Sequence, residues 1–95
     1  MKIVNRKVLD DFKQKHVEVR SQVDAWEAET NAAGWNMPSD IKKRYAAASF
    51  LADNHVVFNL KGNRYRLLVQ VSFKNKIVFI KKIGSHNEYM KWEIN

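Results

Sequence analysis

At His55 the apolar residues stop recurring at helical spacing and begin to alternate. His55-Val56-Val57-Phe58-Asn59-Leu60 reads as a strand, Lys61-Gly62-Asn63-Arg64 as a tight turn, and Tyr65 to Phe73 as a second strand. Gly-Asn in the middle of a two-residue hairpin suits a turn with positive φ at its first position. This register sets Leu60 opposite Tyr65 and Asn59 opposite Arg66. Lys74-Asn75-Lys76 turns the chain again, into a strand through Ile77-Val78-Phe79-Ile80-Lys81-Lys82-Ile83. An antiparallel meander with one apolar face needs a cover on that face.

The residues before it supply the cover. Lys2-Ile3-Val4-Asn5 is a short strand. Val8, Leu9, Phe12 and His16 share one stripe of a first helix, and Val19, Val23, Trp26, Thr30 and Ala33 one stripe of a second, which Gly34 stops. The two should form a hairpin. Ser39, just after Pro38, can cap a short helix through Ile41-Lys42-Lys43-Arg44-Tyr45. Asn87 to Trp92 is a short amphipathic piece. With 95 residues, three glycines, one proline, no repeat and no linker, residues 1–95 are expected to form a single domain. The expected class is α+β: an N-terminal helical hairpin packed on one face of a small, mainly antiparallel sheet, with a short C-terminal helix.

Charge is placed unevenly along this plan. Residues 1–53 nearly balance, with nine Lys/Arg and eight Asp/Glu, whereas residues 54–87 hold seven Lys/Arg and no acid. A sheet with that bias suits a polyanion, whose phosphates shed counterions as Lys and Arg replace them. The bland alternative is a solubilising surface. That alternative explains the polarity but not the absence of every carboxylate. There is no cysteine, and His16, His55 and His86 are scattered, so neither a disulfide framework nor a structural zinc site is expected. No apolar run approaches the roughly 20 residues of a membrane span, and the first dozen residues turn charged at once, so no signal peptide or membrane association is expected and the cytoplasm is the expected compartment.

The two sides of the strand from Tyr65 differ. Tyr65, Leu67, Val69, Val71 and Phe73 make a continuous apolar side for the helices to cover. The other side reads Arg64, Arg66, Leu68, Gln70, Ser72, and the hairpin register adds Asn59 and Lys61. Either Lys81 or Lys82 should join them, because strand neighbours point to opposite sides; Lys82 is the preferred choice.

Acid-dependent chemistry has no material between residues 54 and 87. Paired carboxylates and a divalent-metal nuclease site both need clustered Asp or Glu, and Gly62 and Gly84 are isolated rather than part of a phosphate loop. What remains needs neither metal nor cofactor: attack of an RNA 2′-OH on the adjacent phosphate, with charge stabilisation and proton transfer. Arg66 could hold the phosphate in bidentate fashion, His86 could move a proton, and Tyr89 could assist or stack on a base. Each has a structural alternative. His86 could cap, Tyr89 and Trp92 could be a core stripe, and Lys42 and Lys43 are ordinarily a solvated helix face that could reach RNA phosphates. A mid-strand Arg66 has the least structural excuse. His16 and His55 look structural.

Over nearly its whole length the chain resembles the HigB-type toxins of the RelE superfamily, ribosome-dependent mRNA interferases of bacterial type II toxin–antitoxin systems. The resemblance is carried by Met1-Lys2-Ile3-Val4-Asn5-Arg6, by Asp40-Ile41-Lys42 with Tyr45 and Ala48-Ser49-Phe50, by Val56 through Leu67, and by Ile77-Val78-Phe79-Ile80 running on to Gly84-Ser85-His86-Asn87-Glu88-Tyr89. The hairpin Asn59-Leu60-Lys61-Gly62-Asn63-Arg64-Tyr65-Arg66 followed by the Gly84–His86–Tyr89 tail is the specific part. The resemblance implies helices on a twisted antiparallel sheet whose basic face enters the ribosomal A site and cuts mRNA through metal-independent 2′-OH attack. By position, Arg66 matches the superfamily's phosphate-stabilising arginine and His86 its basic residue after the last strand, while Tyr89 or Trp92 approximates its C-terminal aromatic. The superfamily's second-strand lysines fall on Val57 and Asn59, which leaves the general base open; Lys61 or Lys82 could replace them.

The partners so implied are the 70S ribosome with its mRNA and a cognate HigA-type helix-turn-helix antitoxin, through which alone operator DNA would be reached. A non-catalytic RNA- or ribosome-binding module on the same basic sheet is the rival reading, and a degenerate toxin acting only as a regulator is a third.

Overall fold

Helical and alternating segments segregate into two layers, described for residues 1–92 by a computed structural model. The chain runs β1 (Lys2–Val4), α1 (Lys7–Lys15), a 3₁₀ turn (Val17–Val19), α2 (Arg20–Ala32), α3 (Pro38–Arg44), β2 (Ser49–Phe50), a second 3₁₀ turn (Ala52–Asn54), β3 (His55–Leu60), β4 (Tyr65–Ser72), β5 (Ile77–Ser85) and α4 (His86–Tyr89). The sheet order is β1-β5-β4-β3-β2. β1 lies parallel to β5, and every other pairing is antiparallel. The expected α+β class and its helical hairpin on a mainly antiparallel sheet are therefore what the chain forms.

Both helical stripes face the sheet. Leu9 and Phe12 of α1 and Val23, Trp26 and Thr30 of α2 are buried against Val56, Phe58, Leu67, Val69 and Val71. Phe58 is the hub, with the rings of Trp26 and Tyr45 edge-on at 5.4 and 5.1 Å. Such pairs add to the stabilisation from burial alone.

Three local expectations need correction, and one element was not foreseen. Ser39 does not cap α3; Asp40, one position further in, reaches back to accept the N–H groups of Asn36 (2.9 Å) and Met37 (3.3 Å). A carboxylate in the first turn satisfies free helix donors as a cap residue does. Gly84 does not end the last strand, since β5 runs on through Ser85. The β3–β4 turn is a four-residue loop, with Lys61 (φ 49°) and Gly62 (φ 66°) both left-handed, although Leu60↔Tyr65 and Asn59↔Arg66 pair as expected. Finally, Ser49–Phe50 forms an edge strand on β3 that alternation over two residues could not announce.

Among the described residues, one charged group sits inside this fold. Glu27 is 4% exposed and receives Arg6 at 2.7 Å and Lys13 at 3.0 Å, while Lys13 also meets Asp24 at 2.7 Å. These contacts hold α1 against α2. Glu27→Ala leaves two cations short of an acceptor, and we expect it to cost about 2 kcal/mol of stability, read from urea denaturation midpoints. A change below a few tenths of a kcal/mol would mean the network is only a solvated surface cluster.

Candidate nucleic-acid interface

The side of the sheet away from the helices has an apolar floor and a charged rim. Val57 and Leu68 on it are nearly fully buried. Around them stand Asn59, Arg66, Gln70 and Lys82, as register dictates: Asn59 pairs with Arg66, Leu68 with Lys82 and Arg66 with Gly84. Arg66 is half-buried, gives one N–H to the Asn63 carbonyl at 3.0 Å and lies 5.4 Å from the centre of the Tyr89 ring. The ring restricts the guanidinium and leaves its other donors for a ligand.

The C-terminal segment lies across this face because Gly84 lets it. A Cβ at Gly84 would stand 3.1 Å from Trp92 Cζ2 and 3.2 Å from Glu88 Cβ, a close approach that a bare backbone permits. Tyr89 and Trp92 meet edge to face at 5.6 Å, and Lys82 Nζ is 5.9 Å from the Trp92 ring. The two aromatics thus divide the cations between them, Tyr89 with Arg66 and Trp92 with Lys82.

His86 begins α4, and its backbone N–H bonds the Arg64 carbonyl at 2.9 Å. A cleft of about 580 Å³ at this end of the sheet is lined by Asn63, Arg64, Arg66, Ser85 and His86. The start of α4 is fixed by a reciprocal cap: Glu88 gives its N–H to Ser85 Oγ (3.2 Å) and its carboxylate receives the Ser85 N–H (2.9 Å). That backbone donor is the main cause holding the Glu88 carboxyl below the usual carboxylate range. A lowered folded value means stability that is complete above the unfolded value and lost as pH falls through the folded one. We expect Glu88→Gln to reduce the fall in melting temperature below about pH 4.5. Identical pH profiles for the two proteins would contradict it.

The remaining candidates scatter. Lys61 leaves the face on which alternation put it: its left-handed backbone turns the side chain toward the helices, where Nζ meets the Glu18 carbonyl at 3.4 Å and its own N–H bonds Gln22. Asn59 Nδ2 approaches the Ala47 carbonyl at 3.4 Å. Lys42 Nζ is held by the Ala48 carbonyl at 3.2 Å and sits 5.8 Å from the Phe50 ring, whereas Lys43 and Arg64 are exposed. His16 stacks on Phe12 at 4.2 Å, and His55 Nδ1 lies 2.9 Å from the Ala52 carbonyl, both packing roles. Tyr65, passed over as core, ties its hydroxyl to Glu18 at 2.9 Å and anchors the strand next to Arg66; this bond is the first cause raising its pKa.

Lys81 and Lys82 were expected on opposite sides. A bulge intervenes: Leu68 pairs with Lys82 and Val69 with Ile80, so Lys81 has no residue opposite. Lys82 stays beside Leu68, and Lys81 Nζ lies 5.0 Å from the ring of Phe79, which pairs with Gln70 on that same side. One extra residue turns an alternating pair into two adjacent cations on one face.

Helices on one side of an open mixed sheet, with an arginine, two lysines and two aromatics gathered on the other, describe a RelE-like α+β domain with a cationic face. The chain belongs to the HigB toxin family, RelE-like toxic components of toxin–antitoxin systems, whose family profile matches residues 19–92. It is similar to the mRNA interferase toxin HigB of Escherichia coli K12, 27% identical over 92 residues covering 94% of this chain and 88% of that protein. The mRNA interferases HigB of Escherichia coli O157:H7 and Shigella flexneri are similar to the same extent. Among the described residues, no helix is long and apolar enough to cross a membrane.

Proposed function

We propose that this protein is an mRNA endoribonuclease that works in the A site of the 70S ribosome in the cytoplasm, without a metal, and is restrained by a HigA-type helix-turn-helix antitoxin that alone contacts operator DNA. The observation that carries the proposal is Arg66, presented from the start of β4 beside Tyr89 and the His86 cleft, on strands that contain no Asp or Glu. The family and the names of the similar proteins support its coarser part, an mRNA endoribonuclease that is the toxin of a toxin–antitoxin system. In this mechanism the 2′-oxygen attacks the adjacent phosphorus as its proton is removed. The P–O5′ bond breaks, and O5′ gains a proton, leaving a 2′,3′-cyclic phosphate and a 5′-hydroxyl. Arg66 and Lys82 bind the charge that grows on the phosphoryl oxygens, His86 moves a proton, and Tyr89 holds Arg66 and offers a ring to a base.

The test adds the protein to mRNA on programmed ribosomes and to the same mRNA alone, and maps new 5′ ends, with EDTA added at the cleavage step after the ribosomal complexes are fixed. Codon-phased cuts on ribosomes only, undiminished by EDTA, are expected. Cuts in free RNA would remove the ribosome from the mechanism. Tight ribosome binding without any cut would leave a binding module in place of an enzyme.

A further inference from the structure

At the opposite end of this face from His86 is a second cleft of similar volume, about 580 Å³, which the proposed chemistry leaves unused. Its lining includes Phe79, a large aromatic of β5 that is 41% exposed. Lys81 Nζ stands 5.0 Å from its ring centre. Across the strand pair is Gln70, whose Nε2 is engaged by the Asp53 carbonyl at 3.0 Å, so that its Oε1 is a fixed acceptor. Lys74 adds a second cation to the rim and Asp53 one carboxylate.

We infer that Phe79, Lys81 and Gln70 form a nucleotide subsite in which the ring stacks a base of the mRNA, Lys81 binds its phosphate and Gln70 Oε1 accepts from the base edge. The inference rests on the proposed ribonuclease reading and extends it to a second point on the RNA. Gln70 lies four residues along β4 from Arg66, about 13 Å at strand rise. Lys82 and Lys81 lie between the two points, so the bulge places two adjacent cations along the line from the scissile phosphate to the stacking ring. Base stacking on an exposed ring with adjacent cations is how single strands are held without strict sequence readout. An aromatic with its own cation overhead suits a polyanion better than an apolar partner, which would have to bury the Lys81 charge.

The probe is a short fluorescein-labelled 2′-O-methyl oligoadenylate, uncleavable by 2′-OH attack, titrated by anisotropy at low salt. Phe79→Leu, at an exposed position, should keep the melting temperature of the parent and weaken binding by about fivefold to a hundredfold. Phe79→Trp should retain affinity, with the indole emission quenched by the probe. Lys81→Ala should lower the slope of log affinity against log salt by about one, which Phe79→Leu should not. Unchanged affinity in Phe79→Leu overturns the subsite. So does a loss seen only on ribosomes, which would assign the ring to ribosomal RNA. Cleavage of programmed ribosomes by the parent protein separates the two proposals: if cleavage is normal while Phe79→Leu binds as the parent does, only the subsite is wrong. If the parent protein neither binds nor cleaves, both fall.

Discussion

Arg66→Ala should lower the rate of mRNA cleavage on programmed ribosomes by about a hundredfold to a thousandfold, the scale of losing one pre-aimed donor to a developing oxyanion. The guanidinium already has its orientation before substrate arrives, held by the Asn63 carbonyl at 3.0 Å and the Tyr89 ring at 5.4 Å. Little reorganisation is left for the reaction itself. Arg66→Lys keeps the charge but loses the planar fork and much of the stacking, so it should recover only part of the rate. The fold should survive both changes, because the side chain is half-buried on the face away from the main core. Parent-like cleavage by Arg66→Ala, with an unchanged melting temperature, would remove Arg66 from the chemistry.

His86→Ala is expected to cost about a hundredfold to ten-thousandfold in cleavage, the span of a single proton-transfer group, while ribosome binding persists. Separating the two readouts matters because a cationic face can bind RNA without cutting it. The substitution is structurally quiet. The imidazole is exposed, and the contact that fixes this position, the backbone N–H to the Arg64 carbonyl, remains available to alanine. Ser85 and Glu88 continue to cap the helix that carries it. If the variant cuts at the parent rate, proton transfer belongs to another group; if binding and cutting fall together, His86 is an affinity residue.

Much of this arrangement is legible in the residue order, where the physics is local. The helical stripes and the Leu60↔Tyr65 register follow from periodicity and a glycine-containing turn, and both are found. From that register alone Arg66 and Asn59 fall on the face away from the helices. Lys61 escaped because strand alternation was carried one residue too far, into a left-handed loop position where the rule no longer holds. The bulge did leave a trace. Ile80 is buried and Ile83 packs against the same core, yet they are three apart, an odd spacing that a regular strand cannot place on one side. One residue between them had to be extra, and the neighbouring lysines are the ones displaced. β2 left no such trace, since its partner is chosen by how the Tyr45–Ala48 segment packs on Phe58 rather than by its own two residues.

The parallel pairing of β1 with β5 joins residues some seventy-five positions apart, Lys2 with Ile77 and Val4 with Phe79. Contacts of such sequence separation form late, since the intervening chain must be ordered before they repay their loop entropy. Synthesis runs in the same direction. When the β3–β4 hairpin first leaves the ribosome, Lys82, His86 and Tyr89 are still inside the exit tunnel, and Arg66 has no ring beside it. A protein whose proposed substrate is mRNA on ribosomes is thus born on its own target with an unfinished face, and its topology delays completion until the last strand is free.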